Sequence, residues 1–149
     1  MIYQATQDVS TFFTMRDIRH RVLEDENRSV IEANFVSKTL SGVTVAYISV
    51  SEHNDVAVRV MDFLNLRTPP EAYDMMLETL NRLNRSFRFA KLCMRDNGAV
   101  TVEYDLPQTT GADIVGPACR EIFIRFMQVL DTAAAEITKT WVAATQGQG

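Results

Sequence analysis

The amino-acid sequence predicts one α+β domain in the order α-β-β-β-α-β-β-α, with helices packed on an antiparallel five-stranded sheet. Three observations predict it. Apolar residues recur every three or four positions near the start, in the middle and over the last third of the chain, the period of an amphipathic helix. Between these stretches lie runs rich in Val, Ile, Phe and Tyr with period-two alternation, which reads as strand. The links between successive strand-like runs, residues 38–42 and 51–55, are short, whereas a parallel crossover needs about a dozen residues or more. The strands therefore meander. With 149 residues the chain can bury one sizeable core. A single domain is expected over 1–149, with its core at about 8–142 and a frayed tail at 143–149.

The first helix is expected over residues 8–24. Thr6 or Asp8 can cap it, and Val9, Phe12, Phe13, Ile18, Val22 and Leu23 give it an apolar stripe. Strands are expected at 28–37, 43–50 and 56–64. The middle one is β-branched and apolar on both faces, which suits a central strand. In the third, Val56, Val58 and Val60 share one face, and Ala57, Arg59, Met61 and Phe63 the other. Thr68 precedes Pro69 and lies three residues before Glu71, the pattern of a capping box with proline at the first helical position. Met76, Leu77, Leu80 and Leu83, with Ala72 or Tyr73 ahead of them, make the stripe of this second helix. Asn84 fits a left-handed C-terminal residue. The last helix is expected from Ala112 to Trp141 or Val142, with Cys119, Ile122, Phe123, Phe126, Leu130, Ala133, Ile137 and Trp141 on its inner face. Pro117 marks either its first turn or a kink.

The hairpin register follows from side-chain segregation. A two-residue loop at Asn97-Gly98 would pair Met94 with Thr101 and Leu92 with Glu103, mixing apolar and polar residues on each face. A three-residue loop over Asp96, Asn97 and Gly98 sets Met94 against Val100, Leu92 against Val102 and Ala90 against Tyr104, with Lys91 opposite Glu103. A slip of one residue flips every side chain, so the three-residue loop is predicted, with Gly98 at positive φ. In this register Phe89 falls on the charged face opposite Asp105. Phe87 and Phe89 then suit a second, partner-facing or helix-facing surface.

The stretch from Pro69-Pro70 through Leu80-Asn81-Arg82-Leu83-Asn84, Phe87-Arg88-Phe89-Ala90-Lys91 and Asp96-Asn97-Gly98 to Val102-Glu103-Tyr104-Asp105-Leu106-Pro107 resembles the YbjN family. That family's fold is similar to type III secretion chaperones. The resemblance runs over about 16–141 and is firmest over 68–107. It implies a chaperone-like or regulatory adaptor that binds a protein or peptide as a homodimer, with no enzymatic activity. Asn81, Asn84, Phe87, Arg88 and Phe89 are its candidate partner-binding residues.

The remaining features weigh towards structure. A net charge of −4 disfavours bulk binding to nucleic acid or anionic membrane. The basic run Arg82, Arg85, Arg88, Lys91, Arg95 keeps a nucleic-acid-associated regulator as the alternative, but a solvated edge with Lys91 paired to Glu103 is the favoured reading. Asn84 is expected to cap its helix and Asn81 to tie the helix end to the hairpin. Cys93 and Cys119 lack the spacing of a disulfide framework or zinc site and read as small buried residues. His53 beside Glu52 and Asp55 lacks the ligand spread of a metal site; His20 is the other histidine. Met61, Met75, Met76, Met94 and Met127 suit either core filling, the favoured reading, or an adaptable apolar groove. No nucleophile elbow, phosphate loop, cofactor motif, membrane span or secretory signal is read, so a cytoplasmic, non-enzymatic protein without cofactor or metal is expected, with an enzyme whose site goes unrecognised as the remote alternative.

Overall fold

The computed structural model describes residues 2–36, 40, 42–50, 55–107 and 112–146. Its elements are α1 (Gln4–Met15), β1 (Arg21–Glu24), β2 (Ser29–Phe35), β3 (Val43–Ser49), β4 (Val56–Val60), α2 (Tyr73–Asn84), β5 (Lys91–Met94), β6 (Val100–Leu106) and α3 (Ala112–Gln146). Among the described residues all strands pair antiparallel in one six-stranded sheet of order β1-β2-β3-β4-β6-β5. The α+β class and the meander hold. The sheet has six strands where five were expected, because residues 21–24 are a strand and not the end of the first helix.

The reason lies at the end of α1. Asp17 adopts a left-handed φ of 57°, the Asp17 amide donates to the Thr14 carbonyl, and the Ile18 amide donates to that of Phe13 at 2.9 Å. This is a Schellman stop, usually built on glycine. With aspartate in that position and Ile18, Val22 and Leu23 continuing the apolar spacing, the sequence conceals it. The helix also starts earlier than expected. Tyr3 is its N-cap with no side-chain cap, while Thr6 is buried inside it and shares a hydrogen bond with Ser29 (2.7 Å).

One face of the sheet carries the core. Ile31, Ala33, Val45, Tyr47, Val58 and Val102 are almost wholly buried there. Phe13 of α1 meets Tyr47 edge-on at 5.4 Å, and Phe123 of α3 meets Phe35 at 5.4 Å. The buried Tyr47 hydroxyl donates to the Cys119 carbonyl at 3.1 Å, and burial raises its pKa well above that of a free phenol. The α3 stripe is as expected, with Cys119, Ile122, Phe126, Leu130, Ala133 and Ile137 buried and Phe123 and Trp141 packed against them. Pro117 lies within α3, not in its opening turn. A Cβ on Gly116 would stand 2.5 Å from the Phe12 Cβ, so glycine there sets how closely α1 approaches α3.

The segment between β4 and α2 departs most from expectation. β4 ends at Val60, and Asp62, Leu64 and Asn65 all take positive φ. This costly backbone swings Phe63 into the core at 2% exposure, off the face expected for it. An ion pair between Arg67 and Asp62 at 2.6 Å spans the turn. The capping box does not form. Residues Pro70–Ala72 make a 3-10 turn without a side-chain cap, and α2 begins at Tyr73. The Thr68 amide donates instead to the Gly98 carbonyl at 2.9 Å, and the buried Thr68 hydroxyl has no hydrogen-bond partner among the described residues. Such a group costs its desolvation with nothing in return. Thr68→Val is therefore expected to leave stability unchanged or raise it by about 1 kcal/mol, as read from urea denaturation midpoints. In α2, Met76, Thr79, Leu80 and Leu83 are buried, whereas Leu77 is exposed at 46%.

The hairpin has the predicted register: Lys91↔Glu103, Leu92↔Val102, Cys93↔Thr101 and Met94↔Val100. Gly98 has φ 82°, and the Arg95 amide donates to the Ala99 carbonyl across the three-residue loop (2.8 Å).

Candidate partner-binding surface

The end of α2 and the start of β5 place the five expected residues, and they do not form one cluster. Asn84 turns inward. Its side-chain amide donates to the Leu92 carbonyl (2.9 Å) and its oxygen accepts the Leu92 amide (2.8 Å). Asn84 is the last residue of a right-handed helix and is not left-handed. The tie to the hairpin expected of Asn81 is thus made by Asn84, while Asn81 is exposed and its carbonyl accepts the Arg85 amide (3.2 Å). Phe87 packs against the core and Arg88 is exposed.

Of the five, Phe89 lines a groove. Its ring is 42% exposed and meets Tyr104 at 6.1 Å, steeply inclined, on the helix side of the sheet. This corrects its expected place opposite Asp105 on the charged face, because the chain enters β5 only at Lys91. The groove, about 180 Å³, is walled by Phe89, Tyr104 and Leu106 on one side and Ala118, Glu121, Ile122 and Arg125 of α3 on the other. The Arg125 guanidinium stacks over Phe89 at 5.5 Å from the ring centre and pairs with Glu121 at 3.1 Å. Sequence reasoning missed the α3 wall. Its signal was present: positions 118, 121, 122 and 125 have the spacing of one helix face, beside the buried stripe.

The basic run does not gather. Arg82 pairs with Glu136 (3.4 Å), and the Lys91 ammonium donates to the carbonyls of Asn84 and Phe87, a favourable place for a cation at a helix C-terminus. Lys91 therefore does not take up Glu103, which pairs with Arg59 at 3.0 Å. Arg95 lies at the opposite end of β5, beside the hairpin loop.

No described helix covers the second face of the sheet. It carries ion pairs, Arg21–Glu32 at 2.5 Å and Arg59 with Glu103 and Asp105. A shallow groove of about 360 Å³ is floored by Val30, Ala46 and Ile48, with Leu23 and Met61 beside them and Asp25, Arg28 and Glu32 among its polar lining. The Arg28 side chain hydrogen-bonds Asp25 and holds that carboxyl below its usual pKa. Cys93 faces this side half-buried, not fully buried as expected. Burial, then the neighbouring Glu103, pushes its thiol up to about 11. Buried Cys119 is pushed to about 12. Neither is a thiolate nucleophile at neutral pH.

The methionines divide between surfaces, with Met76 buried, Met94 and Met127 packed on the core, and Met61 and Met75 about half exposed. His53 and Glu52 lie outside the described residues. The other histidine shows a contact the sequence does not announce. The Nδ1 of His20 donates to the Ile18 carbonyl and its Nε2 shares a hydrogen bond with the Ser10 hydroxyl, both at 2.8 Å. Ser10 sits inside α1, where its amide belongs to the helix ladder and supplies no oxyanion donor. The pair ties α1 to the chain leading into β1. Among the described residues no group of His, Cys, Asp and Glu could hold a metal ion, and no helix is long and apolar enough to cross a membrane.

Neither a curated protein nor a solved structure matches the chain. A family model does, over residues 6–115, and its description reads "Putative bacterial sensory transduction regulator". The match begins before the expected residue 16 and ends before 141. It takes in the whole helix-and-hairpin stretch over 68–107 and well over half of the sequence, and the chain belongs to the YbjN family.

Proposed function

We propose that the protein is a non-enzymatic regulatory adaptor, a chaperone-like cytoplasmic homodimer that docks an extended segment of a partner polypeptide beside Phe89. The observation that carries this reading is the groove between the hairpin and α3. Its volume suits one large apolar side chain, and its walls are mostly aromatic and aliphatic. Arg125 stands at the groove beside exposed Phe89, and exposed Arg88 precedes it in the chain. Such a site favours an apolar anchor followed by an acidic residue, because a guanidinium pairs with a carboxylate in a planar, two-bonded fashion. The family description, a sensory transduction regulator, is consistent with a module that works by binding. Dispersal of Arg82, Lys91 and Arg95 weighs against the nucleic-acid alternative.

Selection from a random-peptide display library tests the proposal. Enriched peptides should carry an apolar residue next to Asp or Glu. Phe89→Ala should weaken their binding about tenfold or more, the range of a modest hot spot, with an unchanged melting temperature. No enrichment, or equal binding by the variant, would sink this reading.

A further inference from the structure

The sheet ends in β1, an edge strand with no further strand beside it among the described residues. β1 pairs with β2 on one side, and all four of its residues are exposed. The Asp25 amide donates to the Arg28 carbonyl (3.0 Å), so the narrow pairs of this ladder are 25/28, Leu23/Val30 and Arg21/Glu32. The N–H and C=O of Val22 therefore point out of the sheet. Soluble proteins usually blunt such an edge with lysine, proline or a covering segment. At the far edge that has happened, since the Asn84 amide occupies both outward groups of Leu92. At β1, Val22 and Leu23 stand 38% and 41% exposed.

The charges around the strand select its occupant. Residues 19–26 read Arg-His-Arg-Val-Leu-Glu-Asp-Glu, with cations before the apolar pair and anions after it. Antiparallel pairing of this segment with itself lays cations over anions. Parallel pairing lays like on like. We propose that β1 pairs with β1 of a second copy about a two-fold axis through Val22, joining the two sheets into one. The axis stands perpendicular to the sheet and keeps each side chain on its own face, so paired positions differ by an even number. Centred on Val22, the register sets Val22 against Val22, Arg21 against Leu23 and Arg19 opposite Asp25. Centred on Leu23, it would set Val22 against the Glu24 carboxylate. Arg21 and Asp25 keep their partners Glu32 and Arg28, so complementarity acts through the summed field. Fewer than about ten residues a side is small against the ~20–30 of a standard interface, and the dimer is weak and concentration-dependent.

This seam rests on the homodimer reading above, and the test separates the two. Sedimentation of the full chain up to the order of 1 mM, the range for small interfaces, should show wild-type self-association. Val22→Pro removes the central outward amide hydrogen and leaves the ladder to β2 intact. It should raise the dissociation constant more than about tenfold with unchanged circular dichroism. Val22→Cys gives a second reading that does not depend on tolerating proline. Paired Cα atoms about 5.5 Å apart suit a disulfide, so this variant should cross-link to its mate under mild oxidation, well above wild type and Leu23→Cys. A chain monomeric at every concentration overturns the dimer and the seam together. A dimer that survives Val22→Pro and cross-links at neither position overturns the seam alone. Cross-linking at Leu23 but not Val22 overturns the register.

Discussion

Gly98→Val is expected to lower stability by about 3 kcal/mol or more and the melting temperature by roughly 10 °C, measured by urea and thermal denaturation. Two costs add. Gly98 has φ +82°, where a side chain costs about 1–2 kcal/mol and a β-branched one more. A Cβ there would also stand 2.2 Å from the Thr68 carbonyl oxygen and 2.9 Å from its nitrogen. These are backbone atoms, and no rotamer change relieves them. The hairpin tip must part from Thr68 and lose the amide bond to the Gly98 carbonyl. Gly98→Asn separates the costs, because asparagine tolerates left-handed backbone but carries the same Cβ. If Asn is nearly as damaging as Val, the contact with Thr68 dominates; if Asn is mild, the backbone conformation does. A neutral Val would mean the turn is wrongly assigned.

The hairpin was legible because two independent signals agreed. Turn chemistry demanded glycine at positive φ, and segregation of Leu92, Met94, Val100 and Val102 from Lys91 and Glu103 chose the register. The first helix was misread because its stop uses aspartate where glycine is the usual signal, and because an amphipathic edge strand over Arg21–Glu24 extends the helical apolar pattern by chance. The capping box failed for a tertiary reason. Thr68 is bound to the hairpin loop, and no local pattern encodes a contact thirty residues away. Phe63 likewise enters the core through three left-handed residues without glycine, a conformation that local propensity disfavours.

The candidate surface was half legible. Exposed aromatic and basic residues around Phe89 can be noticed in sequence, but the groove needs α3 as its second wall, and the pairing of Tyr104 with Ala118 to Arg125 is made by the fold. The order β1-β2-β3-β4-β6-β5 was also beyond sequence reasoning once β1 had been read as helix. With β1 in place, the two sheet edges become unlike: a side chain closes one at Leu92, and among the described residues no strand lies beside the other.

That closure carries the second large effect. The narrow pairs of the hairpin, counted from the Arg95–Ala99 bond, are Cys93/Thr101 and Lys91/Glu103, so the N–H and C=O of Leu92 point away from β6. Asn84 supplies both partners from one amide, acting as a strand one residue long. Asn84→Leu keeps the helix and much of the volume but removes both bonds and leaves a half-buried donor and acceptor without partners. At about 1–1.5 kcal/mol each, the expected loss is about 2–3 kcal/mol in urea denaturation, with faster hydrogen exchange at the Leu92 amide. Asn84→Asp isolates the sign of one bond. The carboxylate still accepts the Leu92 amide but turns an anion towards its carbonyl, so it should fall at or below Leu in stability and recover part of the loss as pH drops through the carboxylate range. If both variants match wild type, the Leu92 groups are satisfied by water and the β5 edge is open after all. The contrast between the two edges that singles out β1 as the seam would then disappear.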